Sequence, residues 1–329
     1  MQKQLFAVIA VLILLAGAAV YLLSNEQKES SAQTMEPLIS VAGQVEIEQV
    51  VIENSDGILL SAINTPEGWM ANQLSSFQTY PVDQLALSEL VRGLVSAIKI
   101  EAKSGQAKNH ARLGLLPISD SASTATQVSL SIGGKTQNIL IGNTASSQQG
   151  HYVRAATEDQ MWLVDKTFNL PEDESDWLAQ GILDLSEQTV VEISNQDPKN
   201  GFSISKQQDQ GDANWRLNDV DLDNQPLKYA QVVDDFVNTL LNLRFTEVNE
   251  FDPIQWAQYE PISEISITDA SGLEHSITLV NADGRYLLHV SGQGEQAFYA
   301  YWVYQIEEYQ GQELLAGKDD FLATASDEE

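Results

Sequence analysis

Hydrophobic positions fall into three patterns along the chain. The first is a continuous run. Leu5 to Leu23 is uncharged and mostly apolar, and twelve of its nineteen residues are Leu, Ile, Val or Phe. As a helix it spans about 28 Å at roughly 1.5 Å per residue, close to the hydrocarbon thickness of a bilayer. Ala16-Gly17-Ala18 has the small-x-small form of a signal cleavage site. The apolar run continues past it through Val20, Leu22 and Leu23, where a cleaved leader turns polar, so an uncleaved anchor is favoured. Leu5, Leu12, Leu15 and Leu23 mark that anchor. Lys3 precedes the run and Lys28 follows it, after which no Lys or Arg appears until Arg92. The positive-inside rule then puts a short tip in the cytoplasm and the bulk of the chain outside it. The expected location is the inner cell membrane, single-pass, with the periplasmic side carrying the mass.

The second pattern is strand-like alternation. Val45, Ile47, Val50 and Ile52 predict a strand, Asp56-Gly57 a hairpin turn, and Ile58 to Ile63 the return. A third short strand centres on Trp69. The third pattern is helical. After Pro81, residues Leu87, Leu90, Val91, Leu94, Val95 and Ile98 recur at i, i+3, i+4, i+7, i+8 and i+11, one apolar face. More alternating segments follow: Val128 to Ile132, Ile139 to Ile141, and the stretches around Tyr152 and Trp162.

The same order then returns. Val190 to Ile193, Gly201 to Ser205 and Trp215 match the opening strands. Pro226 precedes Tyr229, Val232, Val233, Phe236, Val237 and Leu240 at the same helical spacing. Pro261-Ile262-Ser263 echoes Pro117-Ile118-Ser119, and strands around Ile265, Ile277, Tyr286 and Phe298 to Tyr304 close the series. Short connections leave no room for crossover helices, so the sheets are expected to be antiparallel. The fold class is α+β: a transmembrane helix, then two similar lobes, each an antiparallel sheet with one long packed helix, related by internal duplication. The predicted divisions are 1–24 (cytoplasmic tip and anchor), 25–44 (flexible spacer) and 45–170 (first lobe). They continue with 171–188 (connector holding a short capped helix), 189–315 (second lobe) and 316–329 (acidic disordered tail).

Charge and chemistry narrow the function. The chain has 17 Lys+Arg against 47 Asp+Glu, a net −30, which argues against nucleic-acid binding and against docking on anionic lipid. It has no Cys, which removes disulfides, thiol catalysis and cysteine-zinc sites. Gly134-Lys135-Thr136 lacks the upstream glycine of a phosphate loop and reads as a hairpin turn. Asp219 to Asn224 starts like a calcium loop, but its twelfth position is Ala230. Ser203 and Lys206 match Ser-x-x-Lys in a strand, where they point to opposite faces. His110, His151, His275 and His289 show no metal-ligand spacing. No catalytic, metal or cofactor residues are assigned, and the chain is read as not an enzyme. The run from Phe298 to Tyr304 is more aromatic than one strand needs, and Tyr299, Tyr301 and Trp302 form a candidate partner surface.

Trp69, Pro81-Val82-Asp83, Leu113-Gly114-Leu115-Leu116-Pro117, Ile141-Gly142 and Tyr152-Val153-Arg154 occur in an order that resembles the bacterial family called domain of unknown function 4340. The resemblance covers most of the region after the anchor. It implies no enzymatic activity and transfers no functional residues. It implies a setting beside membrane-transporter components: an ATPase, a permease and an auxiliary extracytoplasmic protein. The resulting expectation is a non-catalytic, membrane-anchored accessory or scaffold whose partners are the membrane and transporter subunits. The alternative is a ligand- or polymer-binding module using the crevice between the lobes.

Overall fold

A computed structural model describes residues 36–40, 46–146, 149–183, 185–207, 215–292 and 294–324, with the side chains of 294–297 left aside. The anchor residues Leu5, Leu12, Leu15 and Leu23 lie outside the described residues. Among the described residues no helix is long and apolar enough to cross a membrane.

The first lobe begins as the alternation dictates. β2 (Ile47–Glu53) buries Val50 and Ile52, and β3 (Ile58–Thr65) buries Leu60 and Ala62. The Asn54 side chain accepts from the backbone N–H of Asp56 and of Gly57 in the turn between them, a local bond that fixes the reversal. β4 (Gly68–Ala71) and β5 (Tyr80–Pro81) continue the sheet outward. α1 (Gln84–Ser96) is capped by Asp83, whose carboxylate accepts from the Leu85 and Ala86 N–H groups at 2.9 Å. Its face of Leu87, Leu90 and Leu94 is buried on the sheet. β6 (Ile98–Ala102), β7 (Thr126–Ile132), β8 (Lys135–Thr144), β9 (His151–Ala155) and β10 (Trp162–Val164) complete the lobe.

The second lobe contains β11 (Val190–Asn195), β12 (Phe202–Lys206), β13 (Trp215–Leu217), α2 (Val232–Leu241), β14 (Phe245–Glu250), α3 (Pro253–Trp256), β15 (Pro261–Asp269), β16 (Glu274–Ala282), β17 (Arg285–Gly292) and β18 (Trp302–Ile306). Every strand pairing is antiparallel, as expected from the short connections. The first sheet has ten strands; between its edge strands, Glu36–Pro37 and β5, they run β6-β10-β9-β8-β7-β2-β3-β4, and across the eight-stranded second sheet β14-β18-β17-β16-β15-β11-β12-β13. Position by position these are one path traced twice. Trp69 in β4 and Trp215 in β13 stand at equivalent places, as the sequence pattern requires.

Several expectations need correction. The helices are short rather than long. Pro81 belongs to β5, so α1 starts only after Asp83. α2 starts at Val232, because the chain before it is tied to the C-terminal segment and then turns: Leu227 pairs with Leu322, the Lys228 N–H donates to the Phe321 carbonyl, and residues 228–231 bend and turn into the helix. The same pairing corrects the acidic tail. Residues 316–324 are docked, and Phe321 packs edge-on against Phe202 and Phe236. Apolar residues at 321 and 322 outweigh their acidic neighbours; residues 325–329 lie outside the described residues. Part of the spacer is docked as well. β1 (Glu36–Pro37) pairs with β6, and Ile39 is buried. In the connector, Glu174–Trp177 forms a 3-10 turn without a side-chain cap instead of a capped helix. The strand around Phe298 starts only at Trp302, with residues 294–301 in a 3-10 turn.

The connector stitches the sheets together. Leu178 pairs with Val82 beside β5, and Gly181 pairs with Arg244 beside β14. The Asp83 N–H donates to the Trp177 carbonyl and the Ala179 N–H to the Pro81 carbonyl, both at 2.9 Å. Tyr80 projects across the junction, with its ring centroid 5.3 Å from Trp302 and 5.8 Å from Phe245. One hydrophobic core therefore runs through both lobes.

Candidate functional site

A groove runs along β14 from the junction onto the second lobe. Its first section, about 540 Å³, lies between the connector turn and β14. Asp173, Glu174 and Asp176 line one side, and Arg244, Glu247 and Glu307 the other. Its second section, about 460 Å³, has Leu287, Val303 and Gln305 as floor and Trp256 and Tyr259 as wall. Leu74 of the first lobe and Glu247 belong to both sections.

Local sequence builds each wall. Strand alternation sends Trp302, Tyr304 and Ile306 into the core, so Val303 and Gln305 face the opposite, helix-free side of the sheet. Asp252 caps α3 by accepting from the Ile254 and Gln255 N–H groups, and Pro253 follows at the first helical position. This sets Trp256 beside Phe251 and His289, whose rings stack with centroids 3.9 Å apart. Burial pushes the His289 pKa down, against a weaker upward pull from its contact with the Ala300 carbonyl. The ring is therefore neutral at neutral pH.

The groove is strongly acidic. With Glu250 and Asp252 included, seven carboxylates face two guanidinium groups, those of Arg244 and Arg285. No ion pair joins any of these groups among the described residues. Glu174 instead accepts from Gln73, and Glu247 from Asn249. Uncompensated carboxylates beside low-dielectric walls make a negative field that concentrates cations.

The corresponding face of the first lobe is closed. Leu115, Ala125, Leu140 and Met161 form a second small core there. The guanidinium of Arg154, 3% exposed, donates to the carbonyls of Leu115, Ala155, Ala156 and Glu158. A Cβ on Gly142 would sit 2.2 Å from the Leu113 carbonyl oxygen, so only glycine lets β8 approach the turn that ends at Leu113. The Leu113–Pro117, Ile141-Gly142 and Tyr152–Arg154 motifs thus meet in one place, and they do structural work. A match to the family model described as domain of unknown function (DUF4340) spans residues 69–264, from β4 of the first lobe into β15 of the second. The chain belongs to this family. Within the family match lie both the Arg154 core and the β14 groove wall. No curated protein and no solved structure matches the chain.

The aromatic partner surface is split by the fold. Tyr301 is 49% exposed and Tyr299 is half-buried on the core. Trp302 is a correction: it is fully buried against Tyr80 and offers nothing to a partner. The remaining sequence candidates are dispersed. Gly133 and Gly134 turn the β7–β8 hairpin with positive φ. Ser203 bonds Glu192, while Lys206 reaches the Glu187 carbonyl. Asp221 takes bonds from Asp223 and Asn224 of its own loop. Among the described residues no group of three His, Asp or Glu could hold a metal ion. The sequence offered a crevice between the lobes only as an alternative and named none of the groove residues, which apart from Leu74 come from the connector and the second lobe. The one available signal was the short link from Tyr259 to Pro261, too brief to cover a sheet face.

Proposed function

We propose that this family member is a non-catalytic contact protein, tethered to the membrane by Leu5–Leu23, whose fused lobes present the β14 groove to a partner in a transporter-associated complex. The observation that carries it is the groove itself: an open floor of Leu287, Val303 and Gln305 with an acidic rim that forms no ion pair among the described residues, on lobes joined by one core. Such a surface favours complementary recognition, because a fixed negative field selects a positive partner and an apolar floor holds it. The transporter setting follows from the family resemblance, and the exported placement from the charge bias around the apolar run. Purification of the full chain in mild detergent, with quantitative identification of co-eluting proteins, tests the reading. A membrane protein enriched in proportion to the chain is expected; none under gentle conditions removes the scaffold role.

A second reading is an extracytoplasmic ligand- or polymer-binding module, favoured by the wall of Trp256 and Tyr259. Thermal-shift screening separates the two, since a soluble ligand raises the melting temperature without any membrane partner.

A further inference from the structure

The two lobes share a strand order but treat their helix-free faces differently. In the first lobe, a 3-10 turn (Ala107–Leu113) and the stretch after it fold back over β8 to β10. Leu115 is the plug, fully buried against Leu140 and Met161. In the second lobe the segment between β14 and β15 is shorter: Phe251 and Trp256 of α3 pack over His289 at one end of the face, residues 257–260 lead directly into β15, and among the described residues nothing like Leu115 fills the space over Leu287 and Val303. Leu287 and Val303 lie half-buried on the floor where the first lobe has the fully buried Met161.

We propose that this face of the second lobe seats a cationic, leucine-bearing segment of a partner protein, its leucine over Leu287 and Val303 as Leu115 lies against Met161 on the first lobe. The inference deepens the contact-protein reading and rests on it. Two observations converge. The chain's own covering segment shows which apolar group fits this type of face: Leu115 fills it with Leu113 and Ile118 beside it, and the segment carries Lys108, His110 and Arg112 and no carboxylate, with Lys108 and Arg112 exposed. The open face has the complementary rim, since Glu247 and Glu250 have no cation within ion-pairing distance among the described residues. A leucine on Leu287 and Val303 would remove apolar surface from water, and flanking basic residues would meet the rim.

The test uses the full chain in detergent and a fluorescein-labelled peptide with the sequence of residues 107–118. Fluorescence anisotropy should show saturable binding that weakens as salt rises. Glu247→Lys with Glu250→Lys should weaken it about tenfold, as expected when rim charges are reversed. Both side chains are exposed, and unchanged tryptophan emission checks the fold. Replacing the peptide's Leu115 equivalent by Asp should weaken binding by about the same factor, with no change to the protein. No saturable binding, or binding indifferent to either change, overturns the proposal. Co-purification separates it from the broader reading. A membrane partner retained equally by the wild-type and the doubly substituted chain keeps the scaffold and discards the seat. Peptide binding without any membrane partner keeps the seat and discards the scaffold.

Discussion

Arg154 shows how one side chain can close a lobe. Its buried guanidinium donates to four backbone carbonyls, those of Leu115, Ala155, Ala156 and Glu158, and so ties the covering segment to the end of β9. Arg154→Met keeps much of the volume but removes all four donations, including the buried one to the Leu115 carbonyl. It should cost about 2–4 kcal/mol, read as a lower denaturant midpoint at unchanged slope. His151 makes a different demand. Its Nδ1 accepts from the Phe168 N–H at 3.0 Å, so the ring must be unprotonated there. Burial lowers its pKa, with the Lys166 carbonyl pulling the other way. Because the folded pKa lies below the unfolded value of about 6.5, the unfolded chain binds more protons between the two. The contribution is therefore complete above about pH 6.5 and is lost as pH falls through the lowered value. Urea midpoints measured across that window should drop on acidification, and less steeply in His151→Gln. Equal slopes would show that His151 does not carry the effect.

At the scale of elements, α1 depends on its cap. Asp83 satisfies two N–H groups of the first turn while its own N–H joins the connector. Asp83→Ala should cost about 1 kcal/mol in thermal or chemical unfolding, the usual worth of such a cap. The helix periodicity, the β2–β3 hairpin and the doubled strand order were legible, because alternation and turn residues are local signals. Boundaries were less so, for tertiary reasons. Pro81 suited either a helix start or an edge strand, and pairing with Met70 decided for the strand. Tyr229 fitted the apolar face of α2, yet it is 47% exposed, since it lies in the bend between the Leu227–Leu322 pair and the first turn of the helix. The docking of residues 318–322 was hidden by acidic neighbours. The groove was invisible in the sequence for a plainer reason: its sides come from the connector, β14, α3 and β17, segments far apart in the chain.

At the scale of the molecule, the question is whether two look-alike lobes behave as two domains. Repetition alone suggests independent folding, since each lobe has its own sheet and helix. The junction argues otherwise. Tyr80 is 1% exposed, although its lobe supplies only part of its surroundings; Phe245, Phe298 and Trp302 of the second lobe complete them. Burial holds the hydroxyls of both Tyr80 and Tyr304 far above the usual phenol pKa, so neither ionises near neutral pH and the junction stays uncharged. The connector adds backbone pairing to both sheets. Unfolding of the wild-type chain should therefore be one transition, with tryptophan emission and far-UV circular dichroism superimposing. Tyr80→Ala removes the ring that spans the junction and should cost about 3–5 kcal/mol. Its second effect is more diagnostic. With coupling weakened, the two probes should separate, because the lobes can then melt at different denaturant concentrations. A simple shift of the midpoint with the probes still coincident would mean that the connector alone couples the lobes. Two transitions already in the wild type would mean that the groove walls, which come from both lobes and the connector, are not held as a rigid pair.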